Sequence, residues 1–426
     1  MAQIQPRGSR RKAVRYGVPV AVAGVAAATV GLVPALASSG DPDLPKISAE
    51  ELVTKMAKAD VEHLSGTVKV STDLGLPALP GGSEGGSGGG FGGPQGSGDR
   101  AEDGKSEKPD VSPGTELAKL ASGEHTLRFA ADGPDKQRVS VLESTGEYSL
   151  IHNGRHLWAY DSASNAAWHS QAPKGAHGKK GNDDAGPGSA SGVTPESLTP
   201  QQAAKQALEA VGESTSVTVD GTAKVAGRDA YQLVIKPKGA PESTVESVRI
   251  AVDADKGLPL KFTLTPKEGD KPAVEVAYTK IDFGKPDPGG FAFTPPKGAD
   301  VTEAKPHRGS APGGTRKAPE GLAGLAGLSG AKIVNESAGD WGKVAKIDTG
   351  MPGGLGPSAG GDSRGGSGEQ AQKLLDGFTK EVKGDFGTGR VISTRLVNAL
   401  LTDDGDLYVG AVTKEGLVKA ANQAAR

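Results

Sequence analysis

Cysteine is absent from this chain. That excludes disulfides, thiolate zinc sites, a cysteine nucleophile and an N-terminal lipid-modified cysteine, so packing alone must hold the fold. Aromatic residues are scarce at 4%, with 3 Trp, 6 Tyr and 8 Phe. Net charge is also small, −2 at pH 7, which leaves no bulk electrostatic attraction to nucleic acid. The 426 residues would suffice for two or three domains. However, 65 Gly and 29 Pro fall largely in tracts that cannot bury enough apolar surface to build a core.

Catalytic patterns are missing as well. No Ser sits in a nucleophile elbow. The glycine tracts lack the terminal Lys-Ser/Thr that would cradle phosphate. The pairs Asp403-Asp404 and Asp253-Asp255 occupy turn-like stretches, where Asp serves the backbone. His152 and His156 flank Asn153-Gly154, with His169 nearby in sequence. A metal site needs three or four converging ligands, and no His-x-x-x-His or carboxylate spacing accompanies them. They read as strand or turn histidines at a sheet rim. The expectation is a non-enzyme with no cofactor and no metal; an esterase is the remote alternative.

At the N-terminus, Arg7, Arg10, Arg11, Lys12 and Arg15 precede an uncharged apolar run from Gly17 to Ala37, which ends in Ala35-Leu36-Ala37. A charged start, an apolar middle and a small-x-small end are an export signal. Residues 1–37 are therefore expected to be a signal peptide or an N-terminal anchor, and the protein to be exported to the cell envelope or secreted. Ser48-Ala49-Glu50-Glu51 is a capping box, opening a helix with Leu52, Val53, Met56, Ala57 and Val61 on one stripe. A strand begins at Thr67. Low-complexity inserts follow at 80–113 and 172–193, the first read as a long hairpin loop or a domain boundary. Between them lies a meander with Leu127 and Phe129 in one phase and an Asn153-Gly154 hairpin signal. Trp158, Tyr160 and Trp168 follow, an aromatic concentration that marks a core centre or a ligand wall. Thr199-Pro200 opens a second helix with Ala203, Ala204, Ala207, Leu208 and Val211 as its stripe.

The clearest patterning runs from Ser247 to Val301. Val248, Ile250 and Val252 alternate with polar or small residues; so do Leu258, Leu260, Phe262 and Leu264, and then Val274, Val276 and Tyr278. This period-two pattern, broken by Gly, Pro and Asp turns, predicts a meander with one apolar face to cover. It is expected to close on an aromatic, proline-rich strand, Phe291-Ala292-Phe293-Thr294-Pro295-Pro296. Residues 302–368 read as a disordered linker with one strand-like island at Trp341 to Ile347. Residues 369–426 read as a small α/β unit: a helix from Gln370 to Val382, strands from Arg390 to Leu401 and Asp406 to Val412, and a helix from Thr413 to Ala424. At this size the unit is expected to pack on the main domain or on a copy of itself.

The order helix, strand, meander, helix, meander, together with Val252-Asp253 through Gly257-Leu258-Pro259-Leu260-Lys261 and the Phe293-x-Pro295-Pro296 ending, resembles the LolA-like superfamily. That superfamily comprises periplasmic lipoprotein carriers and the N-terminal domain of the MucB/RseB sigma-factor regulators. The resemblance covers roughly 44–301, less the inserts. It implies an α+β fold in which a highly curved antiparallel sheet, an incomplete β-barrel, has helices plugging its concave side. It also implies an apolar cavity binding acyl lipid or lipoprotein, in the manner of a carrier or chaperone. By the same resemblance Phe129, Trp158, Tyr160, Trp168, Tyr231, Phe262, Tyr278 and Phe293 are candidates for the concave wall. The inserts and the C-terminal unit depart from the short carriers, and the alternative is an envelope-stress regulator whose partner is a membrane anti-sigma factor.

Overall fold

The computed structural model describes residues 42–75, 110–172, 199–209, 214–269, 271–304, 332–335, 340–349 and 379–426. The apolar run at 17–37, most of both inserts and residues 370–378 lie outside the described residues. From Pro45 onward the chain packs as one compact unit.

Twelve strands form the main sheet. They are β1 His63–Thr72, β2 Gly123–Asp132, β3 Lys136–Leu142, β4 Glu147–Asn153, β5 His156–Asp161, β6 Ala166–Gln171, β7 Thr215–Val225, β8 Arg228–Pro237, β9 Val245–Asp253, β10 Pro259–Pro266, β11 Val274–Asp282 and β12 Asp300–Glu303. Their spatial order is β12-β6-β5-β4-β3-β2-β1-β11-β10-β9-β8-β7. Two meanders are thus joined where β1 pairs with both β2 and β11. Every pairing is antiparallel except β12 with β6. The sheet curves but stays open, with β7 and β12 as its edges.

The turns are those the local chemistry demands. Gly154, at φ +60°, starts the two-residue connection between β4 and β5. The loop is Gly154-Arg155, because Asn153 still pairs with His156. The hairpin expected on Asn153-Gly154 is therefore displaced by one residue. Gly66 sits beside a register shift at Thr67/Val68, where a Cβ would stand 2.3 Å from the Lys280 carbonyl oxygen. Only the missing side chain lets β1 and β11 approach so closely.

Three helices accompany the sheet: α1 Ala49–Ala57, α2 Pro113–Ala118 and α3 Pro200–Glu209. Ser48 closes the capping box of α1, accepting from the Glu51 amide while the Glu51 carboxylate accepts from its own. The N-cap hydrogen bonds hold the Glu51 carboxyl below its ordinary range. Val61 lies beyond this helix, which ends at Ala57. Helix α3 lies over β10 and β11, and α1 over β7. The Gln201 side-chain amide of α3 reaches the Tyr278 hydroxyl at 3.1 Å. On the other half of the sheet, Leu120 and Val111 join the core of Val68, Leu127, Phe129, Val139, Leu150, Ala159 and Tyr278. Val111 falls within the insert expected at 80–113, yet it is buried. Its carbonyl accepts from the Tyr148 hydroxyl at 3.3 Å. Burial pushes the Tyr148 and Tyr278 phenols well above their ordinary range.

The proline-rich ending is not a strand. Pro288–Phe291 is a 3-10 turn, and the segment after it pairs with no strand and turns at Lys297-Gly298 before β12. Paired prolines supply no amide hydrogens for a ladder. This strap crosses the outer face of the sheet: Arg138 Nη1 donates to the Gly290 carbonyl at 3.2 Å and Asn153 Nδ2 to the Phe291 carbonyl at 3.2 Å. Phe291 is fully buried there. Beneath it Arg138, Ser140, Ser149 and Glu147 form a polar network, with Ser140 Oγ and Ser149 Oγ 2.9 Å apart. Burial raises the Glu147 carboxyl, but the two serine hydroxyls, Arg138 and Arg128 outweigh it and hold the group below its ordinary range.

A second sheet has the order β13-β14-β18-β17-β16-β15, from Lys332–Ile333, Val344–Asp348, Asp406–Gly410, Asn398–Thr402, Gly387–Ser393 and Thr379–Gly384. Two of its strands come from the stretch expected to be linker; Val344 is fully buried, so that island is core and not tether. Of the helix expected from Gln370 to Val382, only residues 379–382 are described, and they are strand, since Thr379–Gly384 pairs with β16. The expected strand from Arg390 to Leu401 is two strands, broken at 394–397. Helix α4 Lys414–Ala424, capped by Thr413, packs Leu417, Ala420 and Ala421 against Val391, Leu400 and Tyr408. This sheet docks on one end of the main sheet through Val245, Ala273 and Leu396. Arg395 clasps the junction: Nη1 meets Asp73 Oδ2 at 2.7 Å, Nη2 donates to the Lys271 carbonyl, and its amide donates to Leu74.

Candidate functional site

Period-two geometry divides the eight aromatic candidates between the two faces. Leu157 and Ala159 of β5 join the core on the helix-bearing side, so Trp158 and Tyr160 between them point the other way. The register pairs Trp168 with Ala159 and so returns it to the helix-bearing face, where it packs on the core. Phe129, Tyr231, Phe262 and Tyr278 share that face by their pairings with Val139, Leu233-phased Val252, Val276 and Val68. All four are buried. The Tyr231 hydroxyl donates to the Pro45 carbonyl at 3.0 Å and fixes the approach to α1.

Trp158, Tyr160 and Phe293 form a separate cluster on the outer face. Phe293 of the strap lies 5.3 Å, centroid to centroid, from each of the other two rings. Their expected place on the concave wall is therefore corrected. The reason is parity: in a strand every second residue changes face, and β5 alternates large rings outward with Leu157 and Ala159 inward.

The helix-bearing face is largely filled by its helices. It opens at the β7 edge, where a cleft of about 450 Å³ lies between α1, α3 and β7. Ala49, Glu50, Val53 and Thr54 of α1, Leu208 of α3 and Val217 of β7 line it. None of these is aromatic. Val53 and Leu208 are legible in the sequence as members of the two helical stripes, but aromatic content draws attention elsewhere. Among the described residues Glu50 is the single charged side chain in the lining, at the mouth where it meets water.

The position of α1, and so the shape of the cleft, depends on the β9–β10 turn. Gly257 has φ +72°, and a Cβ there would stand 2.7 Å from the Lys55 carbonyl oxygen. The Lys55 ammonium in turn donates to the Ala254 carbonyl. Asp253 caps the turn from below, accepting from the amides of Asp255 at 3.0 Å and Lys256 at 2.7 Å and from Arg228. Arg228 also lies over the Phe283 ring, 4.9 Å from its centroid. The Gly257-Leu258-Pro259 stretch is thus the seat of the first helix.

Three polar groups converge at the β5–β6–β12 edge. His169 Nδ1 is 2.8 Å from Glu303, and His156 Nδ1 is 3.0 Å from His169 Nε2. Among the described residues no group of three or more His, Cys, Asp or Glu has the geometry to hold a metal ion. No described helix is long and apolar enough to cross a membrane.

No protein-family profile matches the chain. No curated protein matches it either. Solved structures do show likeness. MucB of Pseudomonas aeruginosa, in complex with MucA, is 15% identical, covers 88% of this chain and 96% of its own, and superposes with a TM-score of 0.36. A LolA superfamily protein from Nitrosomonas europaea is 12% identical over 58% of this chain and 99% of its own, with a TM-score of 0.20. An uncharacterized conserved protein from Thermus thermophilus is 12% identical over 60% of this chain and 99% of its own, with a TM-score of 0.31. The fold itself is defined by this chain's own topology: an open, curved, mostly antiparallel sheet with helices on one face, an α+β half-barrel.

Proposed function

We propose that this chain is an extracytoplasmic, non-enzymatic binder of acyl lipid or lipoprotein, which takes the acyl chain into the cleft between α1, α3 and β7. The observation that carries the reading is the cleft's lining: Val53, Leu208 and Val217 converge beside an open sheet edge, with one carboxylate at the rim. Such a site offers apolar area and almost no polar chemistry. Each buried methylene of an acyl chain contributes about 0.8 kcal/mol, which is enough for affinity without directed hydrogen bonds. The export signal at the N-terminus supports the location.

The test uses the purified full chain and a fluorescent fatty acid, alongside solvent extraction and mass spectrometry of co-purifying lipid. Val53→Glu and Leu208→Glu each place a charge in the lining, and each is expected to weaken fatty-acid binding at least tenfold. Undiminished binding by both variants, or no binding and no extracted lipid with the unaltered protein, overturns the reading.

A second reading, an envelope regulator that binds a membrane anti-sigma factor, is favoured by one observation. The C-terminal sheet is docked on the first through Arg395 and an apolar seam, an elaboration that a simple lipid shuttle does not require. Capture from solubilised membranes separates the two: a single-pass anti-sigma protein favours the second, and lipoproteins favour the first.

A further inference from the structure

We propose that the edge of β7, together with the cleft beside it, takes up an extended peptide of a protein partner as an added strand. The peptide it fits has alternating apolar side chains and a flanking basic residue. The other sheet edges are blunted. β12 has four residues and β13 two. β15 has six, with Lys380, Glu381 and Lys383 exposed. Short or charged edges resist an added strand. β7 has eleven residues and, among the described strands, pairs only with β8.

The usable part of this edge is bounded at both ends. At Thr215 the Trp341 indole donates to the threonine hydroxyl at 2.8 Å, so the C-terminal unit stands there. After Val219 the register shifts at Asp220-Gly221, where Gly221 has φ +84°. A bulge bends the strand and interrupts regular pairing. Between these limits lies Ser216-Val217-Thr218-Val219, uncharged and mostly β-branched, a composition that favours pairing. Four strand residues span about 13 Å.

Side-chain phase ties this edge to the cleft. Val217 lines the cleft, and Val219, two residues on, shares its face. Ser216 and Thr218 are exposed on the other face. Directly opposite residues of paired strands lie on one face, so a strand laid beside β7 keeps this phase. Its side chains opposite Val217 and Val219 therefore enter the space of about 450 Å³ lined by Val53 and Leu208. Those opposite Ser216 and Thr218 stay in water. Charge selects the flank. Glu50 borders the cleft, and among the described residues no ion pair or hydrogen bond engages its carboxylate. A Lys or Arg beside the apolar pair answers it, whereas an acidic residue there meets like charge. Main-chain hydrogen bonds along the edge supply affinity, and the cleft supplies the sequence preference. The inference goes beyond the acyl-lipid reading, which uses the same cleft without the edge.

The probe is a fluorescent synthetic peptide, acetyl-Lys-Val-Ser-Val-Ser-Lys-amide, titrated into the full chain by anisotropy. Two isomers accompany it, one N-methylated on both valines and the other on both serines. An added strand turns alternate amides toward β7. One isomer is therefore expected to bind at least tenfold more weakly, and the other to stay within threefold of the unmodified peptide. Hydrogen–deuterium exchange over 216–219 should slow when peptide is added. Glu50→Lys is expected to weaken the peptide at least fivefold and to favour a version with glutamates in place of the lysines. Equal effects of the two methylations, no binding of the unmodified peptide, or unchanged affinity in Glu50→Lys overturns the proposal. So does protection of 216–219 that grows with protein concentration before peptide is added, which assigns the edge to a second copy. A fluorescent fatty acid on the same sample keeps the two readings apart. Its displacement by the peptide is expected; fatty-acid binding without peptide binding sinks the added strand and leaves the acyl site standing.

Discussion

Asp253 exposes no surface, yet its carboxylate is fully used. Burial acts to raise this carboxyl, but Arg228 and two backbone amides outweigh it and hold the group below its ordinary range. The sign of the linkage follows. A carboxyl depressed in the folded state contributes stability that is fully present above its unfolded value, about 3.9. That contribution is lost as pH falls through the lower folded value. Asp253→Asn is expected to cost about 2–3 kcal/mol at pH 7 in denaturant unfolding, since it removes a charge-assisted partner from Arg228. The same variant should lose less stability than the unaltered protein between pH 5 and 2. Equal acid sensitivity in the two would show that other carboxylates govern that range. The neighbouring Gly257 is constrained twice, by its φ of +72° and by the Lys55 carbonyl, so any side chain there must push α1 away.

Among the elements, the strap departs furthest from its sequence pattern. Its aromatic alternation reads as a strand, but its amides have no ladder, and its two Phe rings serve the outer face. Phe291 is 1% exposed, whereas Phe293 is half-buried between Trp158 and Tyr160. Phe291→Ala is therefore expected to cost about 3–4 kcal/mol, the range for a filled core position. Phe293→Ala should cost only about 1 kcal/mol, the worth of aromatic contacts at a partly wet site. It should also red-shift tryptophan emission as Trp158 gains water. An unchanged emission spectrum would mean that Phe293 does not cover that ring. The N-cap of α1 and the patterning of β7 through β11 behave as local rules expect, because each depends on neighbours close in sequence.

At the scale of the whole molecule, the two sheets meet at one end of the first, and Arg395 makes the polar part of that junction. Arg395→Ala is expected to let the C-terminal sheet melt several degrees before the main sheet in calorimetry, giving two transitions. A single transition at the original temperature would show that Val245, Ala273 and Leu396 suffice to couple the sheets. By itself, the sequence determined the meanders, the capped α1 and α3, the terminal helix, the turn at Gly257 and the resemblance from which a curved, helix-bearing sheet was expected. These are local signals, written in alternation, caps and glycines. Only the tertiary structure decided which face each aromatic meets. Trp158 and Trp168 stand on opposite faces because pairing register converts a one-residue change of phase into a change of side. Tertiary structure likewise turned Val344–Asp348 from an island in a glycine-rich stretch into a strand, since its partner β18 lies about sixty residues away and no local pattern announces it. The cleft belongs to the same class: Val53, Leu208 and Val217 come from three distant segments, and their meeting is a property of packing alone.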